Sequence, residues 1–188
     1  VLIDDWEATF APYDEETYRA VLAHIAPQDV VLDIGAGDLR LTRRVAAVAQ
    51  RVVAIERDPA VLAQADRMTW PTNLLVICAD ALTTSFPTDV TTAILLMRHC
   101  TREHFAAYVE RLSALGGCRR LITNARWKMD VEVIDLRSGG VYDPDRAGWY
   151  ACRCGAIGFT PGDPAVITPQ VLANVVDVVS CPQCSMQH

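Results

Sequence analysis

From Asp29 to Ala125 the chain alternates two textures. Short apolar runs rich in Val, Ile and Leu recur: DVVLDI (29–34), RVVAI (51–55), NLLVICA (73–79), TTAILLM (91–97) and CRRLITNA (118–125). Such runs predict strands buried on both faces of a sheet. Between them, residues 39–50, 59–68 and 102–115 carry a helical period. Asp58 precedes Pro59 as a cap before a first-turn proline, and Gly116-Gly117 stops the third helix. DEETYRAVLAHI (14–25) predicts a leading helix before the first strand, and DVEVIDL (130–136) a further strand. Strand and helix in alternation predict an α/β fold, a doubly wound and mostly parallel sheet with right-handed crossovers.

After about Val141 glycine and proline become frequent (YDPDRAGW, TPGDPAV) and cysteine pairs begin. The expected division is therefore 1–146 for the sheet domain and 147–188 for a small appendage. No internal repeat or low-complexity tract is seen.

At 188 residues the length suits one ordinary domain with such an appendage. The net charge of −6 and pI near 5.1 speak against general affinity for nucleic acid or an anionic membrane. A local basic patch from Arg40, Arg43, Arg44 and Arg51 remains open. No apolar run approaches the ~20 residues of a membrane span, and no signal-peptide pattern is read at Val1. A cytoplasmic setting and no membrane partner are expected. Cys78, Cys100 and Cys118 stand singly, whereas Cys152, Cys154, Cys181 and Cys184 crowd the last part of the chain.

The chemistry starts at VVLDIGAGDLRLTRRVA (30–46), where a strand ends in an acid and a glycine turn opens a helix. Open α/β sheets bind ligands at such turns, at the carboxyl ends of their strands. A dinucleotide would require G-x-G-x-x-G, but the third glycine position is Arg40. Asp33 moreover opposes a pyrophosphate while suiting a cationic amino group, which disfavours a nicotinamide-dependent oxidoreductase. Glu56 ends the second strand, where a carboxylate can accept from both ribose hydroxyls. Asp80 ends the third, where it can accept from an adenine amine beside Ala81 or Leu82. One such acid is an ordinary polar strand end. Three on successive strands behind G-A-G describe a ligand with an adenosine end and a cationic amino-acid end, S-adenosylmethionine.

With these residues in view, positions 29–97 resemble the class I S-adenosylmethionine-dependent methyltransferases. The motifs VLDIGAGDLRLTRRVA, VVAIERDP and NLLVICADAL are similar to those of the rRNA adenine dimethylases. The resemblance implies a Rossmann-like fold in which Asp33, Gly35 and Gly37 shape the methionine pocket, Glu56 (with Arg57 beside it) holds ribose, and Asp80 with Ala81 holds adenine. FAPYDEETYRAVLAHI (10–25) resembles the segment covering the cofactor in several such enzymes, which makes Tyr13 and Thr17 lid candidates.

The resemblance breaks after the fourth strand. Enzymes methylating exocyclic base amines carry Asn or Asp, Pro-Pro and an aromatic there, to hold the amine and stack the base. This chain has MRHCT instead. Arg98 could bind an anionic group of the acceptor, and His99 could take its proton or simply cap the next helix. Cys100 as a nucleophile would want the preceding Pro and later Glu-Asn-Val of the C5-cytosine enzymes, and both are missing. Asn124, Arg126 and Trp127, after the fifth strand, could also face the acceptor. RNA, protein and small-molecule acceptors all stay open. So does a non-catalytic module that keeps the cofactor pocket and docks a partner.

CRCG (152–155) and CPQC (181–184) supply four thiols in two tight turns, a pattern suited to a structural zinc held by Cys152, Cys154, Cys181 and Cys184. A hairpin over GWYACRCGAIGF and a strand in NVVDVVSCPQC would bring the pairs together as a zinc-ribbon-like module, with His188 a substitute ligand. Two disulfides or unrelated free thiols are the alternatives. A closed four-Cys shell leaves no open position for catalysis.

Overall fold

The computed structural model describes residues 12–65 and 70–184. The apolar runs form one six-stranded sheet: β1 (Val30–Ile34), β2 (Arg51–Glu56), β3 (Leu74–Cys78), β4 (Thr92–Leu95), β5 (Arg120–Thr123) and β6 (Glu132–Asp135), in the order β3-β2-β1-β4-β5-β6. The first five run parallel and β6 closes the edge antiparallel to β5. The strand order reverses between β1 and β4, which is where a parallel sheet opens its crevice. All of β1 and all of β4 are buried, as their largely apolar sequence predicts, while edge strand β3 is only half covered.

Strand alternation splits β1 between two cores. Leu32 and Ile34 pack with Val53, Phe105 and Leu112 on one face. Val31 packs with Val21, Leu41, Val45 and Val52 on the other. Asp33 shares the face of Val31, because side chains two apart point the same way.

The helices are α1 (Glu15–Leu22), α2 (Arg40–Ala46), α3 (Pro59–Leu62) and α4 (Arg102–Ala114). Side-chain oxygens of Asp14, Asp58 and Thr101 accept from the backbone N–H groups of Thr17, Ala60 and His104, capping α1, α3 and α4. Gly116, at φ 63°, lies in the left-handed region just past α4, as the expected glycine stop demands.

Two helices are shorter than their period predicts. Helix α2 ends at Ala46 because Asn73 reaches across and donates to the carbonyls of Ala46 (2.9 Å) and Ala49 (3.1 Å). The last turn is thus closed early, and the chain is delivered straight into β2. Helix α3 is a single turn, and Met68, the expected end of that helix, lies outside the described residues.

From Gly148 the chain builds a second sheet in the order β8-β7-β9. β7 (Gly148–Cys152) and β8 (Ile157–Thr160) form the expected antiparallel hairpin; β9 (Val175–Val178) follows a short helix α5 (Pro169–Ala173) and pairs parallel with β7. Because β7 and β9 run parallel, their carboxyl ends lie side by side, Cys152 opposite Val178.

Candidate functional site

A cavity of about 510 Å³ opens at the carboxyl ends of β1, β2, β3 and β4. That volume is in the range of a cofactor site. Its floor is the turn after β1. Gly35 and Gly37 adopt φ 72° and 59°, conformations glycine enters without strain, and Gly35 and Ala36 donate their N–H groups to the Ile55 carbonyl at 2.8 and 3.1 Å. A Cβ on Gly35 would come within 2.5 Å of the Met97 methyl carbon, so the loop after β4 closes directly over the turn. Leu39 holds φ 65° at the start of α2, a strained value for a bulky residue, and its side chain is fully buried.

The three acids all reach this cavity. Asp33 is buried under α2, where the Thr42 hydroxyl donates to Oδ2 at 2.6 Å. Burial pushes its carboxyl up to about 6, the Thr42 hydrogen bond opposes the shift, and the charge of Glu56 adds to it. Glu56 is held by both oxygens: Oε2 accepts from Gly37 N–H and Oε1 from Asp58 N–H, each at 2.9 Å. Each oxygen keeps a second lone pair for hydroxyl donors, in a carboxylate that cannot rotate freely. Asp80 Oδ1 accepts from Leu82 N–H at 2.8 Å, which folds the turn after β3 and fixes the second oxygen beside the cavity. Arg57, Ala81 and Tyr13 also line it.

Tyr13 behaves as a clasp on the opposite rim. The Arg98 guanidinium lies 4.2 Å from its ring centroid, and its hydroxyl accepts from Arg98 N–H at 3.2 Å. Thr17 is not part of the wall; Tyr18 takes that place one residue on, while Thr17 N–H donates to the Asp14 cap at 2.8 Å. His99, Cys100, Thr101, His104 and Tyr108 complete the wall facing the acids. Burial raises the Cys100 thiol to about 11, so at neutral pH it is a protonated thiol and no nucleophile.

Asn124, Arg126 and Trp127 do not face the cavity. Arg126 is spent inside the protein, donating to Glu132 at 2.9 and 2.7 Å, to Asp177 at 2.7 Å and to the Ala151 carbonyl at 3.0 Å. It bolts the second sheet to the first. Asn124 is buried, and Trp127 packs on Trp149 with ring centroids 5.3 Å apart. Within the anticipated basic patch, Arg40 pairs with Asp38, Arg44 with Glu15 and Arg51 with Asp89. Exposed Arg57 and Arg98 instead bring positive charge to the cavity mouth.

The four late cysteines form one cluster, with all sulfurs within 4.8 Å of one another. Sγ separations are 3.6 Å for Cys152–Cys184, 3.8 Å for Cys154–Cys181 and 3.9 Å for Cys181–Cys184. A tetrahedron of sulfurs around zinc at ~2.3 Å has edges of about 3.8 Å. The donor set and spacing fit that ion, and they are far from the ~2.05 Å of a disulfide. His188 lies outside the described residues. Arg102, at the start of α4, reaches into this cluster; no sequence pattern links it to residues 52 and 81 positions further on.

The fold is that of the Rossmann-like methyltransferases, with the small cysteine-bearing sheet added. A family model described as ribosomal RNA adenine dimethylase matches residues 14–113, just over half of the chain. The chain belongs to that family. Among curated relatives, the probable ribosomal RNA small subunit methyltransferase A of Methanosarcina acetivorans is 46% identical over 68 residues, 36% of this chain and 25% of its own length. That of Methanosarcina mazei is 46% identical over 66 residues, 35% of this chain and 24% of its own. The chain thus spans about a quarter of the length of the curated relatives it matches. The 23S rRNA methyltransferase ErmE superposes with a TM-score of 0.51 at 23% identity, covering 61% of this chain and 47% of that one. A dimethyladenosine transferase from Plasmodium falciparum gives 0.52 at 19% identity, covering 61% and 42%. These two likenesses show the fold. No helix among the described residues is long and apolar enough to cross a membrane.

Proposed function

We propose that the chain is an S-adenosylmethionine-dependent methyltransferase whose acceptor is RNA. The observation that carries the reading is a single cavity with a row of carboxylates on one side and the Met97–Thr101 wall on the other. Asp33 would meet the cationic amino group, Glu56 the ribose hydroxyls, and Asp80 with Ala81 the adenine. Gly35 and Gly37 allow the close approach, and Tyr13 covers the pocket from the opposite rim. When bound, the cofactor supplies an activated methyl group on a sulfonium. The protein's own task is then to align the acceptor with that group and exclude water, which asks for no strong base.

Arg98 and Arg57 would draw the phosphates of an RNA strand toward the mouth, a local attraction that the overall charge of −6 does not supply. His99, exposed beside Arg98, would accept the proton released by the acceptor. Family membership favours RNA over protein and small molecules, although MRHC stands where base-amine methylating enzymes carry their Pro-Pro-aromatic motif. Nothing in the comparisons favours a binding-only module.

We further assign 147–188 as a zinc-binding module on a methyltransferase domain of residues 1–146, with Cys152, Cys154, Cys181 and Cys184 as ligands. A closed tetrahedron of thiolates is architecture rather than catalyst.

The test is transfer of radiolabelled methyl to fractionated cell extract. Label in RNA that is lost on ribonuclease treatment supports the proposal, with Arg98→Gln lowering incorporation most at low salt and making its salt dependence shallower than that of the wild type. Label confined to protein or small metabolites overturns the RNA assignment, and no label in any fraction overturns transfer itself.

A further inference from the structure

We infer that Arg102 is a positioning residue that couples the cysteine cluster to the cavity, so that metal loading and cofactor binding are thermodynamically linked. The inference rests on the zinc and cofactor assignments above and adds a connection between them. Arg102 is the first residue of α4 and directly follows the Met97–Thr101 wall. Its guanidinium grips both cysteine turns. Nε donates to the Cys154 carbonyl at 3.1 Å and one terminal nitrogen to Cys154 Sγ at 3.2 Å; the same nitrogen donates to the Gln183 carbonyl at 3.0 Å, and the other to Gln183 Oε1 at 3.0 Å.

The backbones meet as closely. A Cβ on Gly155, which holds φ +80°, would lie 3.0 Å from Arg102 Cγ, 3.2 Å from its carbonyl oxygen and 3.3 Å from its Cα. The Cys152–Gly155 turn therefore sits flush on the start of α4, with no room for play. One residue before Arg102, the Thr101 side chain caps the helix and lines the cavity.

Metal binding changes how firmly this grip holds. A thiol sulfur is a weak acceptor. Four thiolates around a divalent ion carry a net charge of −2. The contact between Arg102 and Cys154 then becomes charge-assisted, about twice as strong as a neutral hydrogen bond. Metal loading thus tightens the residue that anchors the cavity wall, and a ligand that orders the wall must favour the metal by the same factor.

The experiment measures zinc affinity by competition with a chromophoric chelator, with and without saturating S-adenosylhomocysteine; calorimetry separately measures S-adenosylhomocysteine binding to zinc-loaded and zinc-free protein. In the wild type the nucleoside should raise zinc affinity by about fivefold, and zinc should raise nucleoside affinity equally. Arg102→Gln should bind zinc more weakly and reduce both factors to one, while far-UV circular dichroism remains that of the wild type. Arg102→Lys, which keeps the charge but not the fork, should fall between them, and it carries the test should the glutamine variant not fold. Wild-type linkage in either variant overturns the inference, as does a wild type that binds both ligands independently. Wild-type protein that binds no zinc, or no nucleoside, overturns the underlying assignment, and the linkage with it.

Discussion

Asp33→Asn should make the ligand-free protein more stable while weakening the cofactor site, and the size of the first effect follows from burial. The Asp33 carboxyl sits at about 6 in the fold against an ordinary 3.8. Its charge is therefore disfavoured in the folded state by about two pKa units, or about 3 kcal/mol, at pH 7. The sign follows from proton counts. Below the unfolded value both states hold the proton, and the group costs nothing. Between 3.8 and about 6 the unfolded chain ionises first, so stability falls as pH rises, and above 6 the full cost is present. Asparagine has the shape of the protonated acid and can still accept from Thr42. Urea unfolding should show Asp33→Asn more stable than wild type by about 3 kcal/mol at pH 7, shrinking to about half that at pH 5. Calorimetry with S-adenosylhomocysteine should show the converse. Wild-type affinity should fall as pH drops below 6, because the amino group wants the ionised carboxylate, and the variant should bind roughly tenfold to a hundredfold more weakly at pH 7.5 with little pH dependence. A variant that is no more stable than wild type, or whose gain is the same at pH 5 and 7, would refute the buried-charge argument. Unchanged affinity would refute the assignment of Asp33 to the cofactor.

Three other perturbations separate the parts of the molecule. Metal analysis should find one zinc per chain, lost in Cys181→Ser; a full equivalent retained in the variant would count against this ligand set. Arg126→Met strands Glu132 and Asp177 at the junction of the two sheets and should cost about 3 kcal/mol in denaturant unfolding. It should leave nucleoside affinity within twofold of wild type, whereas a large loss there would return Arg126 to the cavity. Cys100→Ser should keep methyl transfer within about threefold, since a thiol raised to about 11 contributes almost no thiolate at neutral pH; a hundredfold loss would revive covalent chemistry.

What could be read from the chain beforehand was what short-range physics governs. The β1, β2, β4 and β5 runs lie in the sheet interior, so their sequence is mostly apolar, and the acids Asp33, Glu56 and Asp80 at the carboxyl ends of β1, β2 and β3 mark the rim where the sheet meets the cavity. The hairpin around Cys152 and Cys154 was legible for the same reason. Contacts spanning many residues were not. Asn73 trims α2 from across the sheet, and Arg126 reaches Asp177 from the segment after β5. A charged residue beyond the carboxyl end of a parallel strand has the same one-dimensional pattern whether it faces a ligand or a second sheet. Only the parallel placement of β7 against β9 decides that Arg126 turns inward, and nothing near residue 126 encodes that pairing.

The segment after β4 is also held by long-range contacts. In this chain the segment is bound at three points: Met97 covers Gly35, Tyr13 clasps Arg98, and Arg102 enters the cysteine cluster. A proline-rich turn there would be stiff by its own dihedral constraints. MRHCT has no such stiffness, and the wall is held instead by contacts from distant parts of the fold, one of them the proposed metal module. The added sheet then has a physical reason to be where it is. It supplies from outside the rigidity that the local sequence lacks, at the place where acceptor and methyl group must be aligned.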